Sequence, residues 1–379
     1  MKELKHRREM SHKKSMKILF ISRAYPPVIG GIENQNYAIS KWLCNVMEVK
    51  TIANYHGKKN LPFFFPKAFF HAWSEAKNYD AILLGDGVLA PIGWMLRILT
   101  RKPVISILHG LDITYPFFLY QSLWVGFFLK RLDRLIAVSR HTKEVAVEYG
   151  LPEERISIIP NGVEDPPDIG IHYVRVDLAN YLGIDLTGKK ILTTIGRLTK
   201  RKGIAWFTEF VLPKLPENFL YVVAGSGGEK ATIMTTAKKA GVTDRIRLLG
   251  TVPDEIKVML HRTADLFIQP NISVPDDMEG FGIAVIEASL AGLPVVSAKI
   301  EGLQDALIDG QTGVFVESKN ADGFRDAILT LLEDDERYRA FKRSATTTTE
   351  EQFHWNAISK RYGELIEQEI SAKGTPRIH

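Results

Sequence analysis

Short β-branched and aliphatic runs recur along the chain, separated by longer amphipathic stretches. In the first half they are Ile18–Ile21, Val49–Ala53, Ala81–Leu84, Val104–Leu108, Leu135–Val138 and Ile156–Ile159. In the second half they are Ile191–Ile195, Leu220–Ala224, Ile246–Leu249, Leu266–Ile268 and Val295–Ser297. Runs that are apolar at nearly every position suit strands buried on both faces of a parallel sheet. Two successive sets alternating with amphipathic stretches therefore predict an α/β chain of two doubly wound, Rossmann-like domains.

The join is expected near 161–170, where Asn161-Gly162, Pro166-Pro167 and Gly170 cluster without apolar periodicity. After Phe353, Ile358, Tyr362, Leu365, Ile366 and Ile370 keep helical spacing to about Ala372. The layout is then 1–15 as a flexible basic extension, 16–165 as the first domain, 166–352 as the second, and 353–379 as a closing helix. Periodicity leaves open whether that helix crosses back onto the first domain.

Composition refines this picture. The 379 residues exceed what a single core usually supports, and 45% hydrophobic with 25% charged residues is ordinary globular composition. The single cysteine, Cys44, excludes an internal disulfide and a cysteine-built zinc site, which fits a reducing, cytoplasmic setting. The net charge of +5 lies entirely in residues 1–17, where seven Lys/Arg face two acids. The body splits into +3 over 18–165 and −3 over 166–379. A mildly basic first half next to an acidic second half suggests an anionic partner for the first half only, and no nucleic-acid partner is expected.

No export signal is expected, because Ile18–Ile21 is too short and too soon interrupted by Arg23. The longest uncharged run, Ile113 to Leu129, is diluted by Pro116, Gln121, Ser122 and Gly126, which argues against a spanning helix. Residues 58–73 interleave Lys58, Lys59 and Lys67 with six large aromatics, a pattern suited to peripheral contact with the inner face of a membrane. The competing reading is a helix whose aromatics pack on the core.

Candidate chemistry concentrates in three places. In Glu279-Gly280-Phe281-Gly282-Ile283, glycines let a loop approach a ligand, and Ile283–Ala291 reads as a helix ended by Gly292. Free N–H groups at such a helix start bind phosphate. Glu287 shares a face with Ile283, and a carboxylate on so apolar a helix needs partners that sugar hydroxyls can supply. The alternative is a solvated Glu that complements the helix dipole. Thr194 to Gly203 follows a strand, so Arg197 and Lys202 can both face a diphosphate, unless the charges merely solvate that face. The turn Val222-Val223-Ala224-Gly225-Ser226-Gly227-Gly228 lacks the third glycine of a dinucleotide fingerprint, since position 230 is Lys. In the first half, Pro26-Pro27-Val28-Ile29-Gly30-Gly31 and His109-Gly110-Leu111-Asp112 follow strands on one carboxyl edge, and His109 can hydrogen-bond substrate or move a proton. Neither an Asp-x-Asp pair nor a metal-spaced His/Cys/Asp grouping is found, so no metal and no cofactor are expected.

Together these residues resemble the family four glycosyltransferases, retaining enzymes of the GT-B fold. The similarity runs from Met16 to about Tyr362: Gly30-Gly31, His109-Gly110, Val138-Ser139, Pro160-Asn161-Gly162-Val163, Gly196-Arg197 with Lys202-Gly203, Ala224-Gly225, and the pair Glu279 and Glu287. The resemblance implies that Glu287 binds the nucleotide ribose. It implies that Glu279 and the backbone of Phe281, Gly282 and Ile283 hold the transferred sugar and its phosphate. Arg197 and Lys202 would stabilise the diphosphate, and His109 would lie beside the reacting sugar. Gly30, Gly31, Gly196 and Gly225 would allow close approach of the donor. It implies a nucleotide diphosphate sugar as substrate, taken mainly by the second domain, and a lipid-linked or polysaccharide acceptor taken by the first. The chain departs from the family at Glu301-Gly302-Leu303-Gln304-Asp305, where one Gly is lost and Asp replaces Glu, so no donor contact is carried over to that loop. Two other activities fit the same architecture: a nucleotide-sugar epimerase, and a catalytically silent nucleotide-sugar binding subunit. A nicotinamide dehydrogenase does not, for want of the glycine fingerprint.

Overall fold

The computed structural model describes residues 16–28, 30–165, 172–275 and 277–374. The 1–15 extension, Ile29 and the Pro166-Pro167 and Gly170 portion of the expected join lie outside the described residues. Contacts divide the chain into two units. The first runs to Ala137 and includes Lys143–Ile159 and the segment from Trp355 onward, and the second takes Val138–Thr142 and Pro160–His354.

The first unit is built on β1 (Lys17–Ser22), β2 (Glu48–Ala53), β3 (Ala81–Leu84), β4 (Val104–Leu108), β5 (Arg134–Ala137) and β6 (Ile156–Ile158). These form one parallel sheet in the order β2-β1-β3-β4-β5-β6. The central strands are buried at every position, as their continuous apolar runs predict, whereas edge strand β2 alternates. The chain moves one way from β1 to β2, through helix Gly31–Leu43, and the other way from β2 to β5. Right-handed crossovers then place helices Leu61–Glu75 and Ala90–Thr100 and the π-helix Tyr120–Phe128 together on the opposite face. Helix Ala90–Thr100 indeed touches both of its companions.

Helix Trp355–Gly374 packs against Gly31–Leu43 on the remaining face. Trp355, Ile358, Tyr362 and Ile366 are buried by it. Three polar ties fix its direction: Arg134 Nη2 to Glu369 Oε1 at 2.7 Å, Lys373 Nζ to Asp133 Oδ2 at 2.8 Å, and Arg361 Nη2 to the Ile158 carbonyl at 3.0 Å.

The second unit has β7 (Lys190–Ile195), β8 (Phe219–Ala224), β9 (Ile246–Gly250), β10 (Leu266–Gln269), β11 (Val295–Ala298) and β12 (Gly313–Val316), ordered β12-β11-β10-β7-β8-β9 and all parallel. Its core gathers Leu192, Phe207, Tyr221, Ile268, Phe324 and Ile328. Each of the eleven expected runs coincides with a strand, with Leu135–Val138 and Ile156–Ile159 each overrunning theirs by one residue. The twelfth, β12, escapes the sequence pattern because it is a short edge strand with only its end residues buried and begins on a glycine. Gly313 is required there: a Cβ would stand 2.1 Å from the Val295 carbonyl oxygen of β11.

The uncharged run Ile113–Leu129 forms no continuous helix. One turn, Leu111–Thr114, is followed by an exposed stretch and then by Tyr120–Phe128. Pro116 stops the first turn, and Gln121 Nε2 donates to the carbonyls of Ile113 and Tyr115, at 2.8 and 2.7 Å, satisfying the break. Among the described residues no helix is long and apolar enough to cross a membrane.

The closing helix should be energetically part of the first unit. Ile366→Ala removes a fully buried side chain and is expected to cost about 2–4 kcal/mol, while exposed Glu364→Ala should be near neutral. Five of the six tryptophans (Trp42, Trp73, Trp94, Trp124 and Trp355) belong to the first unit, so the urea midpoint read by tryptophan fluorescence measures this directly.

Candidate functional site

In the second sheet the chain runs from β7 to β8 on one side and places β10 on the other, so the strand order reverses between β7 and β10. Ligands of open parallel sheets bind beyond the carboxyl ends of the strands at such a reversal. The two loops that leave there are Gly196–Gly203 and Pro270–Gly282. They are locked together at Gly203, whose φ is +65° and where a Cβ would stand 1.8 Å from the Pro270 carbonyl oxygen. The Ile272 amide also donates to the Arg201 carbonyl at 2.9 Å.

This close approach buries a charged cluster. Lys202 Nζ lies 2.6 Å from Glu279 Oε2, and Arg201 Nη2 is 3.6 Å from Glu279 Oε1. Asn271 Nδ2 donates to Glu279 Oε2 at 3.1 Å and is itself held by Gln269 Nε2 at 2.6 Å. Burial works against ionisation of Glu279, but Lys202, Arg201 and these hydrogen bonds outweigh it and hold the carboxyl down at about 2. The reading from sequence assigns Lys202 to a diphosphate and Glu279 to a sugar. In the structure each is the other's partner, so part of the Lys202 charge is already spent inside the protein. Arg197 is different: its side chain is exposed, with no partner among the described residues.

Helix Ile283–Leu290 starts at Gly282, with φ +104° and no side-chain cap. A Cβ at Gly282 would meet Leu303 at 2.5 Å, so glycine is needed both for the turn and for the packing. Phe281 is buried with its ring against Phe353, at 5.9 Å between centroids, which leaves its backbone as the part that can face a ligand. Glu287 lies one turn beyond Ile283 and keeps some contact with solvent. Its carboxyl makes no hydrogen bond or ion pair among the described residues. The nearest lysine on the neighbouring helix, Lys257, is engaged by Asp254 at 2.6 Å. Enclosure by protein raises the Glu287 carboxyl to about 7, only partly opposed by the Lys257 charge.

Gly225 has a packing reason to be glycine, and Gly196 is the backbone it approaches. The φ angles of Gly196 and Gly225 are +159° and +141°, and a Cβ on Gly225 would stand 1.8 Å from the Gly196 carbonyl oxygen. They bring the ends of β7 and β8 together. The loop at Glu301–Asp305, to which no donor contact is assigned, buttresses the site instead. Glu301 Oε2 accepts the Glu279 amide at 2.5 Å, and Gly302 lies so close to the Gly280 carbonyl that a Cβ would stand 2.2 Å from it.

In the first sheet the order reverses between β1 and β3. There Arg23, just after β1, pairs through Nε with Asp86 Oδ2, just after β3, at 2.8 Å. Burial pushes the Asp86 carboxyl up, and Arg23 opposes that. His109 follows β4, and its Nε2 contacts the Gly85 carbonyl at 3.0 Å. Asp112 fixes this edge: Oδ1 accepts the amides of His109 and Gly110, and Oδ2 accepts that of Gly87, all at 2.9 Å. Gly30 and Gly31 open helix Gly31–Leu43. Gly30 has extended backbone, φ 174°, and the Glu33 side chain folds over it.

Sequence reasoning missed Arg201, Asn271, Glu301, Arg23, Asp86 and Asp112. Arg201 carried a signal, since it sits in the same basic run as Lys202. Asp112 carried another, in that an Asp three residues beyond a strand-end His can cap the loop amides. Arg23 with Asp86, and Glu301 with Glu279, meet only through the fold. No group of three or more His, Cys, Asp or Glu that could hold a metal ion occurs among the described residues.

Two family models match the chain in succession: Glycosyltransferase Family 4 over residues 29–165 and Glycosyl transferases group 1 over 184–348. An uncharacterized glycosyltransferase of Methanocaldococcus jannaschii is 26% identical over 91% of this chain and 96% of its own length. A D-inositol 3-phosphate glycosyltransferase of Corynebacterium glutamicum is 28% identical over 78% of this chain and 74% of its own. Among solved structures, Anabaena HepE in complex with UDP and glucose superposes with a TM-score of 0.72 at 20% identity, covering 93% of this chain and 100% of that one. Two six-stranded parallel sheets, each with its chemistry at a strand-order reversal, and two models that together span most of the sequence lead to one conclusion: the chain belongs to the group 1, family 4 glycosyltransferases and has the GT-B fold.

Proposed function

We propose that the chain is a retaining glycosyltransferase that moves a hexose from a nucleotide diphosphate sugar to a lipid-linked or polysaccharide acceptor at the inner face of a membrane, without a metal ion or other cofactor. The observation that carries this reading is Glu287. A carboxylate on an apolar helix, one turn from an uncapped N-terminus and free of partners among the described residues, is costly unless a ligand uses it. Ribose hydroxyls are the complementary donors, and the amides at Gly282 and Ile283 suit the phosphate.

In this reading Arg197 and Lys202 meet the negative charge that grows on the leaving diphosphate. Glu279, kept ionised by Lys202, accepts hydrogen bonds from hydroxyls of the transferred sugar. The acceptor oxygen bonds to the anomeric carbon on the face from which the diphosphate departs, the carbon–oxygen bond to phosphate breaks, and the acceptor proton passes to a diphosphate oxygen. No protein nucleophile is needed. His109, with its ring nitrogen on the Gly85 carbonyl and its loop capped by Asp112, is assigned to orienting the reacting sugar. Peripheral membrane contact is assigned to 58–73, supported by exposed Phe63, Phe70 and Trp73.

Glu287→Ala should abolish donor turnover while leaving the protein folded, measured by release of nucleoside diphosphate over a panel of uridine, guanosine and adenosine diphosphate sugars. The acceptor panel should include inositol 3-phosphate, which the name of the Corynebacterium relative suggests. Unchanged turnover would overturn the reading, and an altered sugar nucleotide released without acceptor would replace it with an epimerase.

The pH dependence has a definite sign. The Glu287 carboxyl sits at about 7, above its ordinary 4.5, so the carboxylate needed for ribose is lost as pH falls through 7, and donor KM should rise there. Over the same interval the folded state binds the extra proton, so the Glu287 contribution to stability declines as pH rises from 4.5 to 7. Glu287→Gln should therefore raise the melting temperature at pH 8 while weakening donor binding.

Lys202→Met leaves Glu279 buried without its closest cation and should cost about 3 kcal/mol or more in chemical denaturation. The double variant with Glu279→Gln should recover most of that stability but not turnover.

A further inference from the structure

On one face of the first sheet, helix packing is inverted. Helix Leu61–Glu75 turns Phe64, Ala68 and Ala72 toward the sheet, and Phe63, Phe70 and Trp73 outward at 74, 59 and 50% exposure. A helix on a water-facing surface ordinarily has the opposite arrangement, with its large apolar groups inward. The adjoining helix Ala90–Thr100 repeats the anomaly at its end, with Ile98 and Leu99 more than half exposed. Its own neighbour, Tyr120–Phe128, is preceded by Phe117 and Phe118, of which Phe118 is 79% exposed. Trp94 ties these last two elements together, with centroids 5.3 Å from Phe127 and 5.5 Å from Phe128. The exposed groups thus lie on three neighbouring elements of one face and are not scattered.

Charge on these three elements is one-sided. Segments 58–75, 90–101 and 115–131 together carry seven Lys/Arg against a single acid, Glu75. Lys58, Lys59, Lys67 and Lys130 are exposed, and exposed Arg131 lies with its guanidinium carbon 3.7 Å from the centre of the Phe127 ring. Large aromatics to enter an acyl boundary, a near-absence of acids and surrounding cations match an anionic lipid surface. A second copy of this chain would instead bring like charges together.

We propose that this whole face, from Lys58 across the end of helix Ala90–Thr100 to the 115–131 segment, is a docking surface for a bilayer containing anionic lipid. The proposal deepens the membrane contact assigned above to 58–73 and rests on that part of the reading. It enlarges the contact from one helix to three elements, with the 117–118 tip far from 58–73 in sequence. With no helix among the described residues able to cross a membrane, the protein would lie on the surface, held by aromatic insertion and by cations among the headgroups.

The test is co-sedimentation of the full chain with vesicles of phosphatidylcholine alone and of phosphatidylcholine with an equal share of phosphatidylglycerol. Binding is expected only to the second kind and should weaken as salt is raised to about 0.5 M. Phe63→Ser with Phe70→Ser, and separately Phe117→Ser with Phe118→Ser, should each lower the vesicle partition about tenfold. Lys58→Glu with Lys59→Glu should lower it at least as much. All six positions are exposed, so folding should be kept, which circular dichroism verifies. Absence of binding to anionic vesicles, equal binding to neutral ones, parent-like binding by the Phe117/Phe118 variant, or a dimer in sedimentation that the serine variants dissolve would each overturn the proposal. Glu287→Ala should bind vesicles as the parent does. Lost turnover and lost docking are thereby separate results, and failure of the transferase reading cannot be mistaken for failure of this one.

Discussion

Everything chemical in this protein follows from burying each parallel sheet on both faces. A strand such as β3 or β8, enclosed at every position, has no side chain free to meet a ligand. Polar function is forced to the ends of the strands, and among the ends only a reversal of strand order opens a crevice. Both sheets obey this constraint, one between β1 and β3 and the other between β7 and β10. In each, the loops at the reversal bring together a cation and a carboxylate distant in sequence: Arg23 with Asp86, and Lys202 with Glu279.

The two pairs are tuned differently. Glu279 has two cations and an amide around one carboxylate, and the attraction exceeds the cost of burial. Asp86 has one cation, and burial dominates. Glu287 has none in contact and is held near neutrality. The ordering reflects how many donors the fold supplies to each group, and it separates the two carboxylates with a cation in contact from Glu287, which has none among the described residues.

How much of this was legible in sequence depends on distance along the chain. Strand identity is local: Ile191–Ile195 announces itself by composition, and so does the Glu279–Glu287 stretch, because glycine, helix start and carboxylate sit within a few residues. Pairing is not local. Arg201 hides in a run of three basic residues, and the Gly203 contact with Pro270 brings it and Lys202 against Glu279 while Arg197 stays exposed. Gly225, read as a ligand glycine, also has a packing role, since a Cβ there would strike the backbone of Gly196, a relation that no spacing rule reveals. Residues 58–73 were compatible with either a membrane helix or a core helix. What distinguishes the two is which of Phe63 and Phe64 faces the sheet, and that is set by the register of the helix on β1 and β2 rather than by its composition.

The return of Trp355–Gly374 to the first unit makes that unit discontinuous in the gene while the second is nearly continuous. On a ribosome, the strands of the first sheet emerge early but wait without the helix that seals the face next to Gly31–Leu43 until synthesis is almost finished. The second unit, from Pro160 to His354, has by then left the exit tunnel nearly whole and can fold around its own core. The half of the molecule translated first is thus the half completed last, and a truncation just before Trp355 spares the second core while unroofing the first.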